Sequence, residues 1–169
     1  MVEFEDFDAW YTRARPEMVS AMCALGTPID VAVDAVDEAF TRATEQWVQV
    51  EGMPNRDGWT YVVARNFARD TMRTETNRRR ILRTHLSEAP VHEDPPPEVH
   101  ELRRLLEPLN DKQREVVVLR NYFGMTEVEI ADAIGSSRGT VSSRLRGAYK
   151  ILRRSTRLVA SAIALGVLS

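Results

Sequence analysis

The chain has 169 residues, enough for one ordinary domain or two small ones, and its 43% hydrophobic and 28% charged content is that of a globular protein, not a disordered one. A single cysteine, Cys23, excludes an intramolecular disulfide and fits a reducing cytoplasm, and the acidic start MVEFEDFD is the reverse of a signal peptide's basic one. The net charge of −2 argues by itself against binding a polyanion, but the charge is segregated. Residues 1–58 sum to −8, residues 59–84 to +5, residues 85–109 to −4 and residues 110–169 to +5. A polyanion would meet the two basic blocks; the acidic blocks need another partner or only water.

Taken in chain order, nearly every periodic segment is helical and no alternating strand pattern stands out, so the expected fold is all-α. Phe4 to about Leu25 reads as one or two helices with Phe7, Trp10, Tyr11, Met18, Met22 and Leu25 available to a core; Cys23 lies in this apolar run and is expected to be buried. Thr27 is placed to cap the next helix, with Pro28 at its first position and Asp30 in its first turn, and the helix runs to about Trp47. Glu51–Gly58, EGMPNRDG, is a turn-rich loop. Asp57 can cap a long helix from Gly58 to about Leu82 anchored by Trp59, Val62, Val63, Phe67 and Met72. Ser87–Glu98, with four prolines and four acids, is a stiff linker. Helices follow at about 99–106, 111–122, 126–134 and 138–153, the second opened by an Asn110/Gln113 capping pair and ended by a turn at Asn121–Gly124. The chain thus divides into a first helical domain (1–84), a Pro/acidic linker (85–98), a second helical domain (99–157) and an apolar tail (158–169) that continues the last helix. The longest apolar run, Leu158–Leu168, is too short to span a bilayer.

The segment Thr126–Tyr149, TEVEIADAIGSSRGTVSSRLRGAY, reads as a complete helix-turn-helix. Thr126 and Glu129 have capping-box spacing, and Val128, Ile130, Ala131 and Ile134 fall largely on one face to be buried. Small Ala131 admits a second helix closely, and Gly135 ends the first where a positive φ is often needed. Ser136 or Ser137 can cap the next helix, which turns Val141, Leu145 and Ala148 inward. Arg138, Thr140, Ser142, Ser143, Arg144 and Arg146 occupy its other face, and their hydroxyls and guanidinium groups can hydrogen-bond base edges and phosphates in a major groove. The competing reading is a helical hairpin with a solvated outer face; spacing and cap chemistry together favour the DNA reader.

The helix after Trp59 carries Arg65, Asn66, Arg69 and Arg73 at roughly helical spacing, then Arg78, Arg79, Arg80 and Arg83. Such a stripe can neutralise phosphates without reading sequence. Just upstream lie Trp47, Trp59 and Tyr61. Aromatic rings beside cations suit single-stranded DNA, whose bases stack for about 1–3 kcal/mol each. The same tryptophans would serve equally as core. The histidines His85, His92 and His100 lie in or beside the linker without metal-ligand spacing, so neither a metal nor a cofactor is expected.

The order W-x-x-x-V-A-R-N-x-A-x-D (Trp59 to Asp70), an acidic proline linker, then LEPLNDKQREVVVLRNYFGMTEVEIADAIGSSRGTVSSRLRGAYKILRR resembles bacterial RNA polymerase sigma factors of the extracytoplasmic-function group. The likeness covers about residues 5–155 and includes D-x-x-x-E-A-F at Asp34, Glu38, Ala39 and Phe40. It implies a two-domain initiation subunit acting in the cytoplasm. The first domain would hold the β′ clamp helices of core RNA polymerase and capture the melted −10 element; the second would bind the β flap and read the −35 element of promoter DNA. Carried over, Asp34, Asp37, Glu38 and Arg42 would meet the clamp. The loop Gln49–Asp57, with Asn55 and Arg56, would receive a flipped −10 base, while Arg65, Asn66, Arg69 and Arg73 would follow the DNA backbone. Ser142, Ser143, Arg144 and Arg146 would face the −35 groove, with Arg138 and Thr140 near phosphate. An anti-sigma factor is a further partner that the resemblance brings in.

Two positions depart from the pattern: Asp37 stands where the family motif usually has glutamine, and the recognition helix carries Ser142 and Gly147 where cations are common. Two other classes fit parts of the sequence. One is a dimeric helix-turn-helix regulator; the other is a sigma-like module that binds polymerase or an anti-sigma factor without supporting initiation. No paired carboxylates, nucleophile elbow or phosphate-binding glycine loop points to an enzyme.

Overall fold

The computed structural model describes the backbone of residues 6–82 and 97–164, with side chains within 6–76, at 97 and within 99–155. The linker residues 85–96, with His85 and His92, lie outside the described residues, as do Arg83 and the end of the apolar tail; the side chains of Arg78, Arg79 and Arg80 do too. All regular structure among the described residues is helical: α1 (Phe7–Ala24), α2 (Ile29–Glu45), α3 (Trp47–Glu51), α4 (Arg56–Leu82), α5 (Pro97–Leu106), α6 (Asp111–Asn121), α7 (Glu127–Ile134) and α8 (Arg138–Ala164). The chain divides into two compact units, with the division at Glu101–Leu102, inside α5. Helix α5 begins two residues earlier than its sequence signals indicate, because Pro97 serves as a helix-starting proline and not as linker.

In the first unit α2 packs on both α1 and α4. Its buried alanines Ala32, Ala35, Ala39 and Ala43 recur every three or four residues, and α4 answers with Ala64 and Ala68. Short side chains on both sides allow α2 and α4, the most extensively paired helices here, to lie close. The buried residues of α4 are therefore Gly58, Thr60, Tyr61, Ala64, Arg65 and Ala68, and the expected anchors Trp59, Val62, Val63, Phe67 and Met72 are only half-buried. Helix α1 opens on Asp6, whose carboxylate accepts the Ala9 N–H at 2.8 Å. Cys23 is buried.

The starts of α2 and α4 correct the expectation. No side chain caps α2: Pro28, with φ −56° and ψ 145°, is the capping residue, and its carbonyl accepts the Ala32 N–H at 2.8 Å. Helix α4 is capped by Asn55, whose Oδ1 accepts the Gly58 N–H at 2.8 Å, while Asp57 sits within the first turn. The loop shrinks to residues 52–55, since Gln49–Glu51 belong to α3 and Arg56 and Asp57 to α4.

In the second unit α6 and α7 both pack on α8. Both expected capping boxes are present, Asn110 with Gln113 on α6 and Thr126 with Glu129 on α7. Gly135 takes φ 61° at the end of α7, where a side chain would be strained, and the Ser136 N–H returns to the Ala131 carbonyl at 2.9 Å. Ser137, not Ser136, caps α8 by accepting the Thr140 N–H at 3.1 Å. Ile130, Ala131, Val141, Leu145 and Ala148 form the buried seam between α7 and α8. Val128 does not join it and is 53% exposed, on the outer side of a helix of only two turns. Gly147 has a packing reason: a Cβ there would stand 3.2 Å from Nε2 of Gln113, the residue that closes the α6 capping box. A helical glycine costs roughly 0.5–1 kcal/mol against alanine, and an alanine here would press on that Gln113 side chain. Tyr149 completes the join, its hydroxyl 2.9 Å from Nδ2 of Asn121.

Candidate nucleic-acid interface

On α2, Asp34 and Arg42 are exposed and Asp37 and Glu38 half-buried. Arg42 Nε donates to Glu38 Oε1 at 2.8 Å, one turn away. Asp37 has a partner from another helix: Arg15 of α1 donates from Nε to Oδ1 at 2.6 Å and from Nη2 to Oδ2 at 2.8 Å. This two-pronged pairing raises the Arg15 pKa above its ordinary value, chiefly through the hydrogen bond to Asp37. Two of the four residues carried over to the clamp therefore pair with each other, and Asp37 braces α1 on α2.

Around the loop 52–55 the aromatic residues gather into one cluster instead of lining a surface. Trp10 is fully buried at its centre, with ring centroids 4.7 Å from Phe40, 5.6 Å from Trp47 and 5.8 Å from Phe7. Phe7 meets Trp47 edge-on at 5.3 Å. The Arg56 guanidinium lies over the Trp10 and Trp47 rings at 5.0 and 5.7 Å. Trp47 is thus packing, half-buried, with one ring face already taken by a cation. Tyr61 is 1% exposed, which corrects its assignment to DNA: a ring enclosed on α4's inner edge has no face on which a base can stack. Trp59, at the start of α4, is half-buried.

Along α4 the expected cationic stripe divides. Asn66, Arg69 and Arg73 are exposed and, with Asp70 and Met72, line a shallow concavity of about 570 Å³. Arg73 and Asp70 approach to 3.5 Å, both largely solvated. Arg65 is only 9% exposed, with Nη1 3.5 Å from Asn66 Oδ1. It leaves the surface stripe because it lies four residues after Tyr61 and three before Ala68, both on the inner edge of α4. Not foreseen from the sequence are Val48, 89% exposed on α3, and the contacts of Asp57. That carboxylate accepts Nε1–H of Trp10 at 2.6 Å and Nη1–H of Arg13 at 3.1 Å. The available signal was that Arg13 and Arg15 are the two cations preceding Arg42 in an acidic block.

On α8, Ser143, Arg138 and Arg146 are exposed, while Thr140, Ser142 and Arg144 are half-buried. The Thr140 and Ser137 hydroxyls are 2.8 Å apart, and Arg138 Nε reaches Glu127 Oε2 at 3.4 Å. All six expected residues lie in the first three turns of the second helix of a helix-turn-helix. This is the end that enters a major groove in such motifs.

A family model described as sigma-70, region 4 matches residues 100–152. The RNA polymerase sigma-E factor of Streptomyces coelicolor is 35% identical over 163 residues, covering 90% of this chain and 85% of that protein. The chain belongs to the extracytoplasmic-function group of sigma-70 family sigma factors. The ECF RNA polymerase sigma factor SigL of Mycobacterium tuberculosis is also similar, 33% identical over 129 residues and 72% of each chain. Among solved structures, the sigma factor RpoE of Bartonella quintana, crystallised with the anti-sigma factor NepR, shares the fold. Its TM-score is 0.64 at 21% identity, over 90% of this chain and 97% of that one. CnrH, solved with the cytosolic domain of CnrY, gives a TM-score of 0.55 at 26% identity, over 91% and 88%. In this sigma factor the region 4 match falls almost wholly on the unit that holds the helix-turn-helix. No helix among the described residues is long and apolar enough to cross a membrane.

Proposed function

We propose that this sigma factor binds core RNA polymerase through residues 1–84, directs it to promoters bearing defined −35 and −10 elements, and nucleates strand opening. The observation that supports this most is the distribution of charge. An α2 surface carrying the carboxylates of Asp34 and Glu38, the latter paired with Arg42, and an exposed α4 surface carrying the cations Arg69 and Arg73 beside Asn66 occur on one unit, and a hydroxyl-and-arginine recognition helix on the other. Asp34 and Glu38 offer carboxylates to the polymerase clamp. Trp59 and the loop 52–55, framed by Asn55 and Arg56, receive the unstacked −10 base, and Arg69 and Arg73 follow its phosphates. Residues 99–157 read the −35 duplex through Ser142, Ser143, Arg144 and Arg146, with Arg138 and Thr140 on phosphate. The segment 85–98 joins the two.

The work is done in the cytoplasm, where polymerase and chromosome are. CnrH was solved with a protein partner, the cytosolic domain of CnrY. RpoE was solved with an anti-sigma factor, NepR, and we extend a partner of that kind to this chain. Run-off transcription on a promoter library is the test. Core polymerase with this protein is expected to give transcripts of discrete length from a subset sharing −35 and −10 sequences. A transcript pattern identical to that of core polymerase alone would overturn the proposal.

A further inference from the structure

Asp57 stands at an unusual junction. A carboxylate in the first turn of a helix ordinarily satisfies that helix's free N–H groups, but Asn55 already does this for α4. Asp57 instead reaches α1, accepting Nε1–H of Trp10 at 2.6 Å and Nη1–H of Arg13 at 3.1 Å, with Arg13 Nη2 at 3.5 Å. The next residue back, Arg56, lies over the rings of both Trp10 on α1 and Trp47 on α3. The helix that leaves the loop 52–55 is thereby tied to one indole of α1, and that indole also packs on Trp47 of α3, the helix that enters the loop. Within the loop, the Met53 N–H closes on the Val50 carbonyl at 3.1 Å.

Satisfying a buried indole N–H requires only a neutral acceptor. A charged acceptor with a second, half-exposed cationic donor exceeds what core packing needs. Arg13 also has Glu17 one turn away, but at 3.8 Å, against 3.1 Å to Asp57.

We infer that Asp57, held by Trp10 and Arg13, is a positioning residue for promoter melting: α1 holds the loop 52–55 in the shape that accepts an unstacked base before DNA arrives. The inference rests on the −10 assignment of that loop. A loop ordered in advance does not spend the energy of base capture on its own ordering, so the latch acts on the rate of opening and not on polymerase affinity.

The test uses holoenzyme made from the full chain and core polymerase, on promoter duplex carrying 2-aminopurine at the −10 base. Fluorescence reports the rate at which that base unstacks. Arg13→Gln is expected to slow opening about threefold, as for a partly solvated ion pair, and Asp57→Ala about tenfold, both donors losing their acceptor. The double variant should open no more slowly than Asp57→Ala alone. Arg13→Lys, which keeps the cation, should recover most of the wild-type rate. Polymerase affinity should be unchanged throughout, and Arg13→Gln should melt as wild type does. If Arg13→Gln and Asp57→Ala open at the wild-type rate while Trp59→Ala is slow, the latch is wrong and the −10 assignment stands. If Trp59→Ala also opens normally, both fall. Independent, multiplying losses in the double variant would likewise overturn the latch.

Discussion

Trp10→Ala is expected to remove most of the stability of the first unit. The indole is fully buried, packs on Phe7, Phe40 and Trp47, lies under the Arg56 guanidinium, and donates its N–H to Asp57. Truncating a large core aromatic costs about 3–5 kcal/mol from the lost transfer energy and the residual cavity. Losing aromatic neighbours of this geometry adds about 0.5–1.5 kcal/mol per pair, and the Asp57 carboxylate loses one of its donors. Small domains hold about 5–15 kcal/mol in all. At about 4–8 °C per kcal/mol for a unit of this size, the melting midpoint of the first unit should fall by roughly 15–30 °C. Thermal unfolding followed by circular dichroism measures this. Trp10→Phe, which keeps the ring and loses the donor, should fall by much less. A Trp10→Ala midpoint within a few degrees of wild type would mean that the aromatic cluster does not hold α1, α2 and α3 together.

The second large effect is expected on α8. Arg144→Ala with Arg146→Ala removes two guanidinium groups from the face proposed to meet the −35 duplex. If either makes a bidentate contact to a guanine edge, about 1–3 kcal/mol of discrimination goes with it. A lost phosphate contact lowers the dependence of log affinity on log salt by about 0.9 per charge on duplex DNA. Holoenzyme affinity for a promoter fragment should therefore drop by roughly tenfold to a hundredfold. The salt slope should become shallower by about one to two, depending on how many of the two touch phosphate. The second unit should fold unaltered, since its seam is built from Ile130, Val141, Leu145 and Ala148, none of which changes. An unaltered affinity and an unaltered slope would remove these two arginines from the interface.

What was legible in the sequence was local. The capping boxes at Asn110/Gln113 and Thr126/Glu129 need only residues three apart, and Gly135 needs only its own φ, so each could be read from a short window. The inward set Val141, Leu145 and Ala148 follows from a single helical period.

What was not legible depended on which neighbour each helix meets. Helix α4 carries Trp59, Tyr61, Val62, Val63 and Phe67 around much of its circumference, so its apolar pattern does not single out one face. The alanine stripe of α2 decides the matter, because close helix approach puts Ala64 and Ala68, and with them Tyr61, on the inside. Tyr61 and Arg65 were lost from the DNA-facing set by that choice. The links from Arg15 to Asp37 and from Trp10 to Asp57 join residues 22 and 47 apart, and no propensity or capping rule connects them. Gly147 likewise faces a neighbour, Gln113, that lies 34 residues away in sequence and that no local rule connects to it.

Affinity for core RNA polymerase stripped of its own specificity subunit is the measurement closest to the centre of this account. The full chain, labelled at an added terminal tag because Cys23 is buried, would be titrated with core by fluorescence anisotropy. Saturable one-to-one binding is expected, weakened by Asp34→Lys and Glu38→Lys because those carboxylates lie on the α2 surface proposed to meet the clamp. No binding to core, with the chain folded by circular dichroism, would contradict the assignment of α2 and the promoter mechanism built on it.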